Sequence, residues 1–198
     1  MSGIQKPLNL AVIIASTREK RQGGVVARWF AREAEVREEF SLEIIDLRST
    51  NLPSVIRNGH PKMGDYPPEI RAFADRIEIA DAFVFVTPEY NHGYPASLKQ
   101  ALDLVYREWM TKPASFVTYG GVAGGVRAAE QLRQVLGELH MVDIRDSVMI
   151  PSARSSFDES GHLIENAIIH GQVQATLNGL AWWAYALREA RANRPYPG

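Results

Sequence analysis

Residues 82–86, Ala82-Phe83-Val84-Phe85-Val86, carry an apolar side chain at every position. A strand with one wet face alternates apolar and polar residues, whereas an unbroken apolar run suits a strand covered on both faces, as in a parallel α/β sheet. Residues 8–15, 113–119 and 141–150 read as further strands, and 41–47 as an alternating one. Between them apolar residues recur at helical spacing. Val25, Trp29, Phe30 and Ala34 mark one helix, and Ile70, Phe73, Ala74 and Ile77 a second over 69–80. Leu98, Ala101, Leu102 and Val105 mark a third over 95–109, and Leu132, Val135, Leu136 and Leu139 a fourth over 126–140. A long last helix over 164–190 turns Ile168, Val173, Leu177, Leu180, Trp183 and Leu187 inward. Strands alternating with helices predict a doubly wound parallel sheet with helices on both faces.

A chain of 198 residues that is 45% hydrophobic buries a full core as one domain, residues 1–198, with 191–198 expected as a frayed tail. The formal net charge of -1, with both signs interspersed, gives no footprint for nucleic acid or an anionic membrane, and no apolar run approaches membrane-spanning length. With no cysteine the chain has no disulfide, thiolate metal site or cysteine nucleophile, so redox chemistry here requires a bound cofactor. The five histidines lack metal-site spacing, so no metal is expected. Ile4-Gln5-Lys6-Pro7 and the apolar run after it look superficially like a secretory signal, but Asn9 interrupts the run and Arg18 to Arg21 follow it. A first core strand and a cytoplasmic setting are expected instead.

Open parallel sheets bind ligands at the carboxyl ends of their strands, so the loops there carry the functional reading. The first, Ser16 to Gly24, has Ser, Thr, Arg and Gly before a helix start, which suits a phosphate cradle of amides, hydroxyls and a guanidinium; a solvated basic loop is the plain alternative. Lys20 and Arg21 read as solvated charge, with contact to a neighbouring pyridine nucleotide as the alternative. The second follows residues 82–86: Pro88 ends the strand, Gly93 relaxes the backbone and Pro95 opens a helix. Tyr90, Asn91, His92 and Tyr94 offer flat surfaces with polar edges, against the alternative of tyrosines capping the core. The third, Gly120-Gly121-Val122-Ala123-Gly124-Gly125, bares backbone amides, against the alternative of a loose turn. Residues 48–68 form a long excursion with several Pro, Gly and Asn residues and no sustained period.

Thr87-Pro88-Glu89-Tyr90-Asn91, Gly93-Tyr94-Pro95-Ala96 and Leu98-Lys99-Gln100-Ala101-Leu102-Asp103 together resemble the signature of the flavodoxin-like NAD(P)H-dependent FMN reductases. Ser16-Thr17-Arg18 and Tyr119-Gly120-Gly121 with Gln131-Leu132 agree with it. The resemblance implies a flavodoxin-like sheet of five strands in the order 2-1-3-4-5. It implies FMN held by Ser16, Thr17, Arg18, Gly23, Gly24 and Val25, by Pro88, Glu89, Tyr90 and Asn91, and by Tyr119, Gly120 and Gly121. His92 and Tyr94 would meet substrate, and Leu52, Pro53, Ile56 and Tyr66 of the 48–68 excursion would line the pocket or meet a second subunit. NADPH or NADH would pass a hydride to flavin N5 and a small acceptor would then replace it, with no catalytic side chain required and Glu89 structural. The acceptor stays open among free flavin, a quinone, an azo compound and an oxidised metal ion. The other readings are an FMN-bearing electron carrier and a non-catalytic flavin-binding module; carriers are strongly acidic, which this chain is not. Trp182 and Trp183 do not fit one helical face and, with Trp109 and Tyr106, suggest a homodimer or homotetramer surface, with core packing as the alternative.

Overall fold

The computed structural model describes residues 6–56 and 59–197; Ile4, Gln5 and Gly198 lie outside the described residues. Strands β1 (Leu8–Ile14), β2 (Phe40–Asp46), β3 (Ala82–Pro88) and β4 (Pro113–Tyr119) pair in parallel in the order β2-β1-β3-β4. Two short strands, β5 (Val142–Asp143) and β6 (Val148–Ile150), both extend the sheet from β4. The order is the flavodoxin-like one, with the expected fifth strand in two pieces. Between the pieces side chains take the carbonyls that a ladder needs. Ser115 Oγ donates to Asp146 O at 2.7 Å, and Arg133 donates to Ile144 O at 3.2 Å.

Strand β3 is buried at every position, and its side chains alternate between two cores. Phe83 and Phe85 enter a core with α2 (Pro68–Ile79), α3 (Ala96–Leu104) and α4 (Val126–Glu138). Ala82, Val84 and Val86 face α1 (Gly23–Glu35) and α5 (Ala167–Asn193). Each buried large side chain contributes roughly 1.5–3 kcal/mol by leaving water. This two-sided core is what fixes the loops at the strand ends.

Several local expectations are corrected. The third helix stops at Leu104 because Val105 is extended and the Tyr106 N–H donates to Tyr66 Oη at 3.2 Å; a 3-10 turn then spans Arg107–Trp109. Trp109 is fully buried against Phe73, Phe83 and Phe85, so it belongs to the core and not to a partner surface. On α5, Ile169 is buried while Ile168 is 74% exposed, and Trp182 is 65% exposed beside Trp183. The expected fray does not begin at Arg191. Helix α5 runs to Asn193, Arg191 donates to Thr111 O at 2.7 Å and pairs with Asp81, and Tyr196 Oη meets His140 Nδ1 at 3.0 Å.

Lys112, just before β4, is 5% exposed and its Nζ donates to Ile77 O and Glu78 O, both at 2.7 Å. These are carbonyls of the last turn of α2, which has no following turn to satisfy them. Two acceptors suit a neutral amine, and burial, aided by Arg191, lowers its pKa from 10.5 to about 7. Between those two values the unfolded chain binds the extra proton, so stability rises with pH there. Denaturant unfolding of Lys112→Met is expected to lack that rise; parallel pH profiles for variant and wild type would contradict the assignment.

Candidate functional site

Four loops meet at the carboxyl edge of the sheet. The first leaves β1, with Ala15 N donating to Val86 O at 3.0 Å, and enters α1 at Gln22, whose side chain makes no capping bond. Arg21 braces this loop from below: its guanidinium is held by both carboxylate oxygens of Asp46 and donates to Ser16 O. Burial pushes the Asp46 carboxyl up, but the Arg21 and Arg48 contacts outweigh it and hold the pKa below the usual carboxylate range. Arg21 is therefore a structural clamp and not the solvated charge expected.

Ser16 is fully buried, and its Oγ lies 2.6 Å from Tyr90 Oη. The Arg18 guanidinium stacks 3.7 Å from the centre of the Tyr90 ring. These contacts tie the first loop to the second. Residues 90–93 form a tight hairpin closed by Tyr90 N to Gly93 O at 2.8 Å and Gly93 N to Tyr90 O at 3.0 Å. Asn91 and His92 take the two left-handed positions, with φ of 50° and 67°. Gly93 does not take a positive φ; a Cβ there would lie 2.8 Å from Gln131 Oε1. Gln131 Nε2 in turn donates to His92 O at 3.0 Å.

Glu89 joins the second loop to the third. Its carboxylate accepts from the Arg127 N–H at 3.1 Å, in the first turn of α4, and from the Arg127 guanidinium at 2.6 Å. Burial raises its pKa, yet the Arg127 contacts win and hold it low. An ionised, doubly bonded carboxylate at a helix N-terminus is a cap, in line with its structural reading. In the third loop a Cβ at Gly125, φ 88°, would lie 2.7 Å from Thr118 Cβ and 2.9 Å from Tyr119 N. A Cβ at Gly121 would meet nothing within 4 Å.

Between these loops lies a pocket of about 460 Å³ lined by Arg18, Lys20, Arg21 and Gln22, by Pro88, Glu89 and Tyr90, by Tyr119, Gly120 and Gly121, and by residues 152–155. Seven of the expected site residues line it: Arg18, Pro88, Glu89, Tyr90, Tyr119, Gly120 and Gly121. Ser16, Thr17, Gly23, Gly24, Val25 and Asn91 do not. Ser16 works through Tyr90; Gly23 is buried where a Cβ would lie 2.7 Å from Tyr119 Oη. His92 is exposed at the hairpin tip and Tyr94 packs on the core, so neither lines the pocket. Nor do Leu52, Pro53, Ile56 or Tyr66: Leu52 packs on the core, Pro53 O accepts from Gln100, and Tyr66 is buried against Pro61 and Glu108.

Sequence reasoning missed Ser152, Ala153, Arg154 and Ser155, the fourth loop. Ser152 N and Ala153 N donate to Gly121 O and Gly120 O at 2.9 and 3.1 Å, and Ser152 takes a φ of 47°. Their only local signal was polarity after a strand end.

Among the described residues the Tyr119 hydroxyl is one of four buried side-chain polar atoms without a hydrogen-bond partner, and the one of the four that lines the pocket. Its side chain is 5% exposed, and no hydrogen-bond partner for Oη lies among the described residues. Burial and the neighbouring Tyr90 push its pKa well above the ordinary phenol value, only partly offset by the nearby Ser16 hydroxyl, which misses hydrogen-bond geometry, and by the Arg21 and Arg18 charges. An orphaned donor, an uncapped helix start and Arg18 suit an oxyanion, while the open flank of Gly121 suits a flat group. Among the described residues no cluster of His, Asp or Glu is built to hold a metal ion, and no helix is long and apolar enough to cross a membrane.

Strand order and rim loops define a flavodoxin-like α/β protein. The solved flavoenzyme NAD(P)H:(acceptor) oxidoreductase FerB of Paracoccus denitrificans shares this fold, with a TM-score of 0.71 at 24% identity over 90% of this chain and 98% of that one. A sequence model of the NADPH-dependent FMN reductase family matches residues 8–155. The chain is 43% identical over 135 residues to an NAD(P)H-dependent FMN reductase of Schizosaccharomyces pombe, covering 67% of each. It is 31% identical over 183 residues to a quinone reductase of Pseudomonas putida, covering 88% of this chain and 94% of that one. The chain belongs to the NADPH-dependent FMN reductase family, oxidoreductases that use FMN as cofactor and NAD(P)H as electron donor.

The two glycine environments give opposite expectations. Gly125→Ala forces backbone and Thr118 apart and is expected to cost about 2 kcal/mol or more, whereas Gly121→Ala is expected to stay within about 0.5 kcal/mol of wild type. Thermal unfolding of both variants checks this; equal losses would contradict the steric reading.

Proposed function

We propose that this chain holds FMN in the rim pocket and uses it to move electrons from NAD(P)H to a small acceptor, donor and acceptor occupying the pocket in turn. The carrying observation is the convergence of Arg18, the partnerless buried Tyr119 hydroxyl and the open flank of Gly121 on one pocket. When bound, FMN supplies the redox chemistry, taking a hydride at N5 from NAD(P)H and returning two electrons to the acceptor.

The protein's part is binding, orientation and exclusion of water. Arg18 and the first turn of α1 would neutralise the phosphate, with the Tyr119 hydroxyl donating to an oxygen beside it. Arg154 and Ser155 would close the cradle from the fourth loop. Tyr90, fixed by Ser16, would flank the ring. The Gly120 N–H already donates to Ile150 O at 3.3 Å, so the amide free to meet the ring edge is that of Gly121. Ser16, Thr17, Gly23, Gly24 and Val25 would shape the cradle through the backbone, and Asn91 would hold the hairpin. His92 and Tyr94 would meet substrate only from beyond the rim.

A quinone is the acceptor class that the relatives' names favour, with free flavin, azo compounds and oxidised metal ions as the wider set. Trp182, two-thirds exposed, supports a homodimer or homotetramer. A cytoplasmic setting completes the proposal.

Turnover and cofactor contacts are tested on one preparation. Initial rates with NADPH and a quinone both varied are expected to give parallel reciprocal lines; lines that intersect would contradict alternating occupancy. Arg18→Ala and Arg154→Ala are each expected to weaken FMN binding by about tenfold or more while leaving the affinity for riboflavin, which lacks the phosphate, unchanged. Equal effects on both flavins would remove the phosphate assignment.

A further inference from the structure

At the opposite end of the sheet lies a second cleft, of about 740 Å³, larger than the rim pocket. We propose that it binds a small phosphate ester carrying a ring, of mononucleotide size. It is separate from the rim pocket: Lys112 in its floor precedes β4 and Tyr119 in the rim ends it, and a seven-residue strand spans roughly 23 Å.

Charge is the first argument. Lys62, Arg71, Arg107, Arg191 and Arg194 converge there from four separate parts of the chain, around the buried Lys112 amine. The opposing carboxylates are Glu78 and Glu108, and Glu108 already accepts from Tyr66 Oη at 2.9 Å. Beneath them Asp81 is shared between Arg188 and Arg191. Among the described residues no carboxylate lies within ion-pair distance of Lys62, Arg107 or Arg194, which leaves three cations at the mouth of the cleft. The whole chain carries a net charge of -1, so this excess is a local concentration. Arginine forks on different segments suit the several oxygens of a phosphate.

Shape is the second argument. Clefts of this volume take small-molecule ligands. Tyr196 and Met63, 48% and 74% exposed, also line this one, and they give a ring an apolar surface to cover.

Binding should also move a proton. The Lys112 amine is pushed down to about 7 by burial and by Arg191, against the pull of Asp81, Glu78 and Glu108. A bound dianion adds to that pull and raises the pKa, so the protein takes up protons near neutral pH.

The test is calorimetric titration of the FMN-loaded full chain with adenosine 5′-monophosphate and with inorganic phosphate, in two buffers of different ionisation enthalpy. Saturable binding with proton uptake is expected, tighter for the nucleotide than for phosphate and with the flavin spectrum unchanged. Arg107→Ala/Arg194→Ala is expected to weaken it by about tenfold or more. Both side chains are exposed and make no hydrogen bond among the described residues, so folding should be intact; Lys62→Ala provides a second reading if it is not. No saturable binding of either probe, unchanged affinity in these variants, or loss of binding on Arg154→Ala, which would locate the nucleotide at the rim, would each overturn the proposal.

Discussion

Two-sided burial of β3 and β4 is the constraint on which the rest depends. Both strands are buried at all seven positions, so neither can shift without moving aromatic residues out of one core and aliphatic residues out of the other. A one-residue slip would exchange Phe83 and Phe85 with Val84 across the sheet. The chain therefore leaves the sheet at fixed points, and polar loops can be bound to one another there without a core of their own.

What holds the loops is a set of short polar ties. Arg21 to Asp46, Ser16 to Tyr90, Glu89 to the start of α4, and the amides of Ser152 and Ala153 to the Gly121 and Gly120 carbonyls join the four loops in sequence. Each is worth about 1 kcal/mol or somewhat more where a charge takes part. Together they preorganise the rim, and among the pocket-lining residues they leave Tyr119 Oη buried without a partner. Glu89 illustrates the division of labour: a carboxylate beside a ligand pocket looks like a base, yet its bonds to Arg127 are already made.

The fold was legible because apolar runs and helical spacing report burial, and burial is what the strands and helices satisfy. Strand order followed from the family resemblance and agrees with the structure. The break at residues 144–147 was hidden because it depends on Ser115 and Arg133, which belong to other elements. The burial of Trp109 and the docking of Arg191 on Asp81 were hidden for the same reason. At the rim, Arg18, Tyr90 and Tyr119, which sit next to strand ends, line the pocket. Residues one turn further on, Gly23 to Val25, do not line it. The fourth loop carried no motif, since two of its contacts are made by backbone amides that any residue supplies.

The central claim is that one rim pocket couples a pyridine-nucleotide donor to a flavin. Its most direct measurement is the visible spectrum of the FMN-loaded chain, free of oxygen, during stepwise addition of NADPH. The account predicts loss of the flavin absorbance with one equivalent of NADPH per bound FMN, and its return when a quinone is added. Flavin absorbance that persists in excess NADPH would contradict it.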